Sequence, residues 1–79
     1  MPAVALIDSE GLVIKLWHEN QIPDQIELIQ AVFDIFCVVA ILDSEGLVVR
    51  RWRKNQTPDR EELRQMVQEI IDREKELAK

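Results

Sequence analysis

A chain of 79 residues carrying a net charge of −5 makes one small domain, and chains this short bury only about 60% of the surface they expose when unfolded. A single cysteine, Cys37, excludes an internal disulfide, and a single histidine, His18, argues against a structural zinc site, so stability must come from packing or from another chain. Hydrophobic residues at 47% beside charged residues at 32% exclude a disordered tail.

In chain order, the apolar run Ala3 to Ile7 reads as a strand and meets Asp8-Ser9-Glu10-Gly11. Aspartate first and glycine fourth suit a type I turn whose glycine is left-handed in a G1 bulge. The run Leu12 to Trp17 then completes a β-hairpin. A polar stretch leads to Pro23-Asp24 and a helix expected over about Pro23 to Ile35, because proline fits a first helical turn and acids complement the helix dipole. The same order follows again: Cys37 to Leu42, Asp43-Ser44-Glu45-Gly46, Leu47 to Trp52, and a helix over about Pro58 to Ala78. Thr57 is the expected N-cap of that helix, without a capping box.

The recurrence is a duplication. Residues 5–39 laid over 40–74 are identical at 17 of 35 positions, including the whole D-S-E-G-L-V run, Trp17/Trp52 and Pro23-Asp24/Pro58-Asp59. The chain therefore reads as one domain over 1–79, with repeat one at 1–36 and repeat two at 37–79. The expected class is α+β, a ββα-ββα tandem repeat with pseudo-twofold symmetry. Its two helices pack on a four-stranded sheet in a permuted ferredoxin-like order. In that order the second strand of each hairpin is central, parallel and antiparallel pairs are mixed, and both helices cover one face.

Each copy serves as a control for the other. Helix two has one apolar stripe, Leu63, Met66, Val67, Ile70, Ile71 and Leu77. Helix one keeps it as Leu28, Ala31, Val32, Ile35 and Phe36, then adds a second. Ile22, Ile26, Ile29 and Phe33 stand where repeat two has Thr57, Glu61, Arg64 and Gln68, and Leu16 stands where it has Arg51. At 100° per residue the four fall on one side of the helix, away from the core stripe. A symmetric homodimer is expected, with Leu16, Ile22, Ile26, Ile29 and Phe33 as its interface. Two strands apolar on both faces, Ala3 to Ile7 and Val38 to Leu42, support that expectation.

The run P-A-V-A-L-I-D-S-E-G-L-V-I-K-L-W, followed by P-D-x-x-E-L, resembles the C-terminal hairpin and last helix of thioredoxin-fold peroxiredoxins of the bacterioferritin-comigratory type. Pro2, Leu6-Ile7-Asp8, Gly11 and Gly46, and Trp52-Arg53-Lys54 carry the likeness, in each half separately; Cys37 stands where the second copy would have its proline. PAS and roadblock-type domains share an Asp-x-x-Gly hairpin. In the thioredoxin family the redox cysteines lie in an N-terminal half that this chain has no counterpart for. The resemblance thus implies a duplicated non-catalytic fragment, and the copy-specific apolar pattern favours an engineered or designed protein.

Candidate chemistry is sparse. Cys37 opens an apolar strand and reads as a buried, inert thiol; His18 reads as a solvated loop residue. D-S-E-G is too poor in aspartate for a calcium loop, and no phosphate-binding glycine loop or Ser-His-Asp set exists. Arg50-Arg51-Trp52-Arg53-Lys54 alone has functional colour, since cations around an aromatic can bind phosphate and stack on bases. The acidic total opposes it. The expectation is a non-enzymatic, self-associating scaffold with no cofactor or metal and itself as partner, the alternative being a small nucleic-acid-binding module using that cluster. No apolar run approaches the ~20 residues that span a bilayer, and MPAVALIDSE lacks the basic start of a signal peptide, so a soluble, cytoplasmic protein is expected.

Overall fold

Both D-S-E-G segments close their hairpins with one set of bonds. The Gly11 amide donates to the Asp8 carbonyl at 3.0 Å and the Gly46 amide to the Asp43 carbonyl at 3.0 Å. Each aspartate's Oδ1 also accepts two amides, from Glu10 and Leu12 in the first turn and from Glu45 and Leu47 in the second, at 2.9–3.0 Å. The glycines take φ of 82° and 83°, where a side chain would be strained. A one-residue register shift next to each turn marks the bulge.

The computed structural model describes residues 1–53 and 55–77, with only the backbone at Ile35. The elements are β1 (Ala3–Ile7), β2 (Val13–His18), α1 (Gln25–Ile35), β3 (Val38–Leu42), β4 (Val48–Arg51) and α2 (Arg60–Leu77). The strands form one four-stranded antiparallel sheet, ordered β2-β1-β3-β4. This overturns the expected permuted ferredoxin-like order: the first strand of each hairpin is central, the second is at the edge, and no pair is parallel. Side-chain chemistry gives the reason. A central strand is covered more completely than an edge strand, and β1 and β3 carry no charge. The strands bearing Lys15 and His18, or Arg50 and Arg51, lie at the edges, where cations also discourage pairing with other chains. β1 and β3 meet in a register in which Ala5 pairs with Ala40, its own counterpart in the duplication.

Both helices begin one residue after an aspartate. Asp24 Oδ1 accepts the Glu27 amide and Asp59 Oδ1 the Glu62 amide, each at 2.8 Å. The caps are therefore Asp24 and Asp59. Thr57 is not the cap, and Pro23 and Pro58 precede the helices rather than opening them. The signal was present as D-x-x-E in both repeats. The Ala78 end expected for α2 lies outside the described residues.

Strand alternation sorts the sheet into two faces. Val4 and Leu6 of β1, Val39 and Ile41 of β3, and Trp17 and Trp52 at the edges form one buried cluster. It includes Leu28 and Val32 of α1 and Leu63, Val67 and Ile70 of α2. Both helices thus pack on that face. The alternate residues Ala3, Ala5, Ile7, Ala40 and Leu42 point the other way; they are buried among the strands yet lie outside the cluster.

The helices differ in length, 11 residues against 18. Phe36 takes φ 52°, in the left-handed region, and turns the chain from α1 into β3. It is 75% exposed, which removes it from the expected core stripe, whereas its counterpart Ile71 continues a helix and packs partly against the core. Leu77, also placed on the stripe, is exposed. The extra turns of α2 reach the second hairpin, where the Ser44 amide and hydroxyl donate to the Glu74 carboxylate.

Candidate functional site

The five residues expected to form one interface divide among three places. Ile26, Ile29 and Phe33 stand on the outer flank of α1, exposed by 68%, 44% and 84%. Phe36 continues that flank at the end of the helix. Where α2 would present the same flank it carries Glu61, Arg64 and Gln68, all exposed.

Ile22 is not part of this surface. It is half-buried against the core and lines a groove with Arg64, Val67, Gln68 and Ile71 of α2. The matching groove in the other half, about 360 Å³, lies between Val32, Phe33 and Phe36 of α1 and Asn55. Beside it the side chain of Gln25 donates to the Thr57 carbonyl at 3.0 Å. Each helix therefore lies beside the strand-to-helix loop of the other repeat. Ile22 is apolar because it meets α2, and this long-range pairing is invisible on a helical wheel of α1.

Leu16 stands in a third place. It pairs with Ala5, and its neighbour Trp17 belongs to the helix-side cluster, so Leu16 projects from the helix-free face of the sheet. It cannot stand beside Ile26, Ile29 and Phe33. The exposed apolar side chains of this set therefore lie in two separate places, the α1 flank and, for Leu16, the edge strand β2.

The basic cluster is committed to structure. Trp52 is 6% exposed and belongs to the core, so its ring cannot receive a base, and the Arg50 guanidinium lies 5.0 Å from its centroid. Lys15 repeats the contact over Trp17 at 4.9 Å. Each cation lies over the ring of a core tryptophan. Arg51 and Arg53 are exposed, and Lys54 lies outside the described residues. Cys37 is buried, its Sγ 3.7 Å from the Ala31 carbonyl oxygen, and His18 is exposed at the end of β2. Among the described residues no three His, Cys, Asp or Glu side chains converge as metal ligands, and no helix is long and apolar enough to cross a membrane.

No protein-family model, curated protein or solved structure matches this chain.

Proposed function

We propose that the chain is a non-enzymatic, self-associating scaffold of engineered origin, built from a duplicated ββα unit whose halves are related by a pseudo-twofold axis between Ala5 and Ala40. Its partner is a second copy of itself, and the contact is the α1 flank.

The carrying observation is the difference between two otherwise matched helices. Ile26, Ile29 and Phe33 are exposed in a fold whose other half solves the same position with Glu61, Arg64 and Gln68. Full burial of a large apolar side chain contributes about 1.5–3 kcal/mol, so three such side chains and Phe36 supply a driving force that α2 lacks. A twofold axis would lay the flank on its own image. The basic half of the nucleic-acid reading loses its aromatic platform because Trp52 is in the core.

The test copies one repeat onto the other. Ile26→Glu, Ile29→Arg and Phe33→Gln together give α1 the flank of α2, which the same fold already carries in its other half. Light scattering over a concentration series should show a lower association state for this variant, with unchanged far-UV circular dichroism. An unchanged mass in a folded variant would remove the α1 flank as the contact.

A further inference from the structure

Under the proposed pseudo-twofold axis, the contact between the two repeats is self-complementary. Ala5 faces its counterpart Ala40, and the flanking pairs Val4–Ile41 and Leu6–Val39 trade places, since Val39 is the counterpart of Val4 and Ile41 that of Leu6. Away from the sheet, Gln25 donates to the Thr57 carbonyl at 3.0 Å and Asp24 lies 4.0 Å from Arg60, again one repeat against the other. None of these contacts requires the two repeats to share a chain. What confines them to one chain is the passage from α1 to β3, made by Phe36 and Cys37.

That passage runs against local preference. Phe36 takes φ 52° and ψ 54°, a left-handed position that closes helices and is usually held by glycine or asparagine. A bulky L side chain there crowds its own backbone, and the ring of Phe36 is 75% exposed. The other repeat shows the alternative. At the matching position Ile71 is helical, and α2 runs on to Leu77 without reversing. The repeat therefore supports a helix that continues where α1 turns back.

We infer that two copies of the chain exchange repeats, so that β1 of each copy pairs with β3 of the other, hinged at Phe36. Identity fixes the occupant: the surface that each repeat offers is the one its sister already fills in the single chain, in the same Ala5–Ala40 register. The exchanged dimer contains every repeat-to-repeat contact of two single chains, and it frees Phe36 from the left-handed turn. Short, strained hinges favour such exchange. Against it stands the tether, which holds the repeats of one chain at a high effective concentration, so the dimer gains ground only as protein concentration rises. The exchange does not require the α1 flank and should survive its replacement.

The experiment uses the full chain carrying Ile26→Glu, Ile29→Arg and Phe33→Gln, refolded from urea at micromolar and at millimolar concentration and separated by size exclusion with light scattering. A dimer should form at the higher concentration and persist on dilution, because reversing the exchange means parting β1 from β3. Only unfolding and refolding at low concentration should return the monomer. In this background Phe36→Gly, which accepts a left-handed φ, should weaken dimerisation by about tenfold or more. Phe36→Ile, which copies Ile71 and is β-branched, should strengthen it. With Cys37→Ala, the pair Ala5→Cys and Ala40→Cys should oxidise to a covalent dimer in the dimer fraction and within one chain in the monomer fraction, since these positions are directly paired. If the cysteine variant does not fold, dilution and the two Phe36 variants decide. A dimer that falls apart at once on dilution, disulfides formed only within chains, or a Phe36→Ile chain that stays monomeric at every concentration overturns the exchange. If the flank variant keeps the mass of the wild type and its disulfides join two chains, the exchange stands and the α1 flank falls as the contact. If the wild type associates while the flank variant stays monomeric even with Phe36→Ile, the exchange falls and the α1 flank stands.

Discussion

The two turn glycines allow the backbone cost of one residue to be measured twice in the same molecule. Gly11 and Gly46 sit at φ 82° and 83°, and a Cβ built on either has no neighbour within 4 Å. Alanine would therefore meet no obstruction, and its whole penalty is conformational. Holding an L-residue in the left-handed region costs about 1–2 kcal/mol. Losing a glycine also narrows the unfolded ensemble, which offsets about 0.4–1 kcal/mol of that. Gly11→Ala and Gly46→Ala should each be destabilising by about 1 kcal/mol, lowering the midpoint of thermal unfolding by about 4–8 °C in a domain of this size. The turns follow opposite ends of paired, antiparallel β1 and β3, about 17 Å apart, so the double variant should show the sum.

Thermal and urea unfolding at one fixed protein concentration make the comparison, since association adds to apparent stability. Asparagine at either position should recover part of the loss, because it tolerates the left-handed region better than alanine. Alanine variants as stable as the parent would refute the assignment of strain. So would a difference between the two sites above about 0.5 kcal/mol, the usual limit of independence.

Removing either helix cap, by Asp24→Ala or Asp59→Ala, should cost about 1 kcal/mol in urea unfolding, because each carboxylate accepts an amide that the helix itself cannot satisfy. The Cys37 thiol should react slowly with a thiol reagent in the native protein and rapidly in denaturant, given its burial at 1% exposure; fast reaction of the native protein would overturn the burial of Cys37 between α1 and β3.

What could be read in the residues was whatever is local. The hairpins follow from Asp and Gly at fixed places in four residues, and the helix-side stripe of α2 from Leu63, Val67 and Ile70 at helical spacing. Sheet order is a long-range property, and either hairpin strand could have been central on periodicity alone. The deciding signal was still in the sequence: β1 and β3 are free of charge while β2 and β4 are not. The place of Leu16 turns on strand parity. A strand alternates, so with Trp17 in the core its neighbour Leu16 faces away from the helices. Ile22 required knowing that the loop of one repeat packs on the helix of the other, which no single-repeat pattern reveals.

On the proposed reading of the chain as a duplicated unit, each half is a control for the other. A twofold related pair of identical units would present identical flanks, and any apolar flank would then appear twice. Arg64 and Gln68 make the α2 flank polar, while Ile29 and Phe33 leave the α1 flank apolar. The shared residues, the turn glycines, the cap aspartates, the tryptophans and the central alanines, are those that build the fold. Some differing residues, such as Leu6/Ile41 and Ala31/Met66, still pack in or on the core, whereas Ile29/Arg64 and Phe33/Gln68 differ on exposed flanks. In the proposed assembly this division lets one architecture specify its own structure with both repeats and its partner with one.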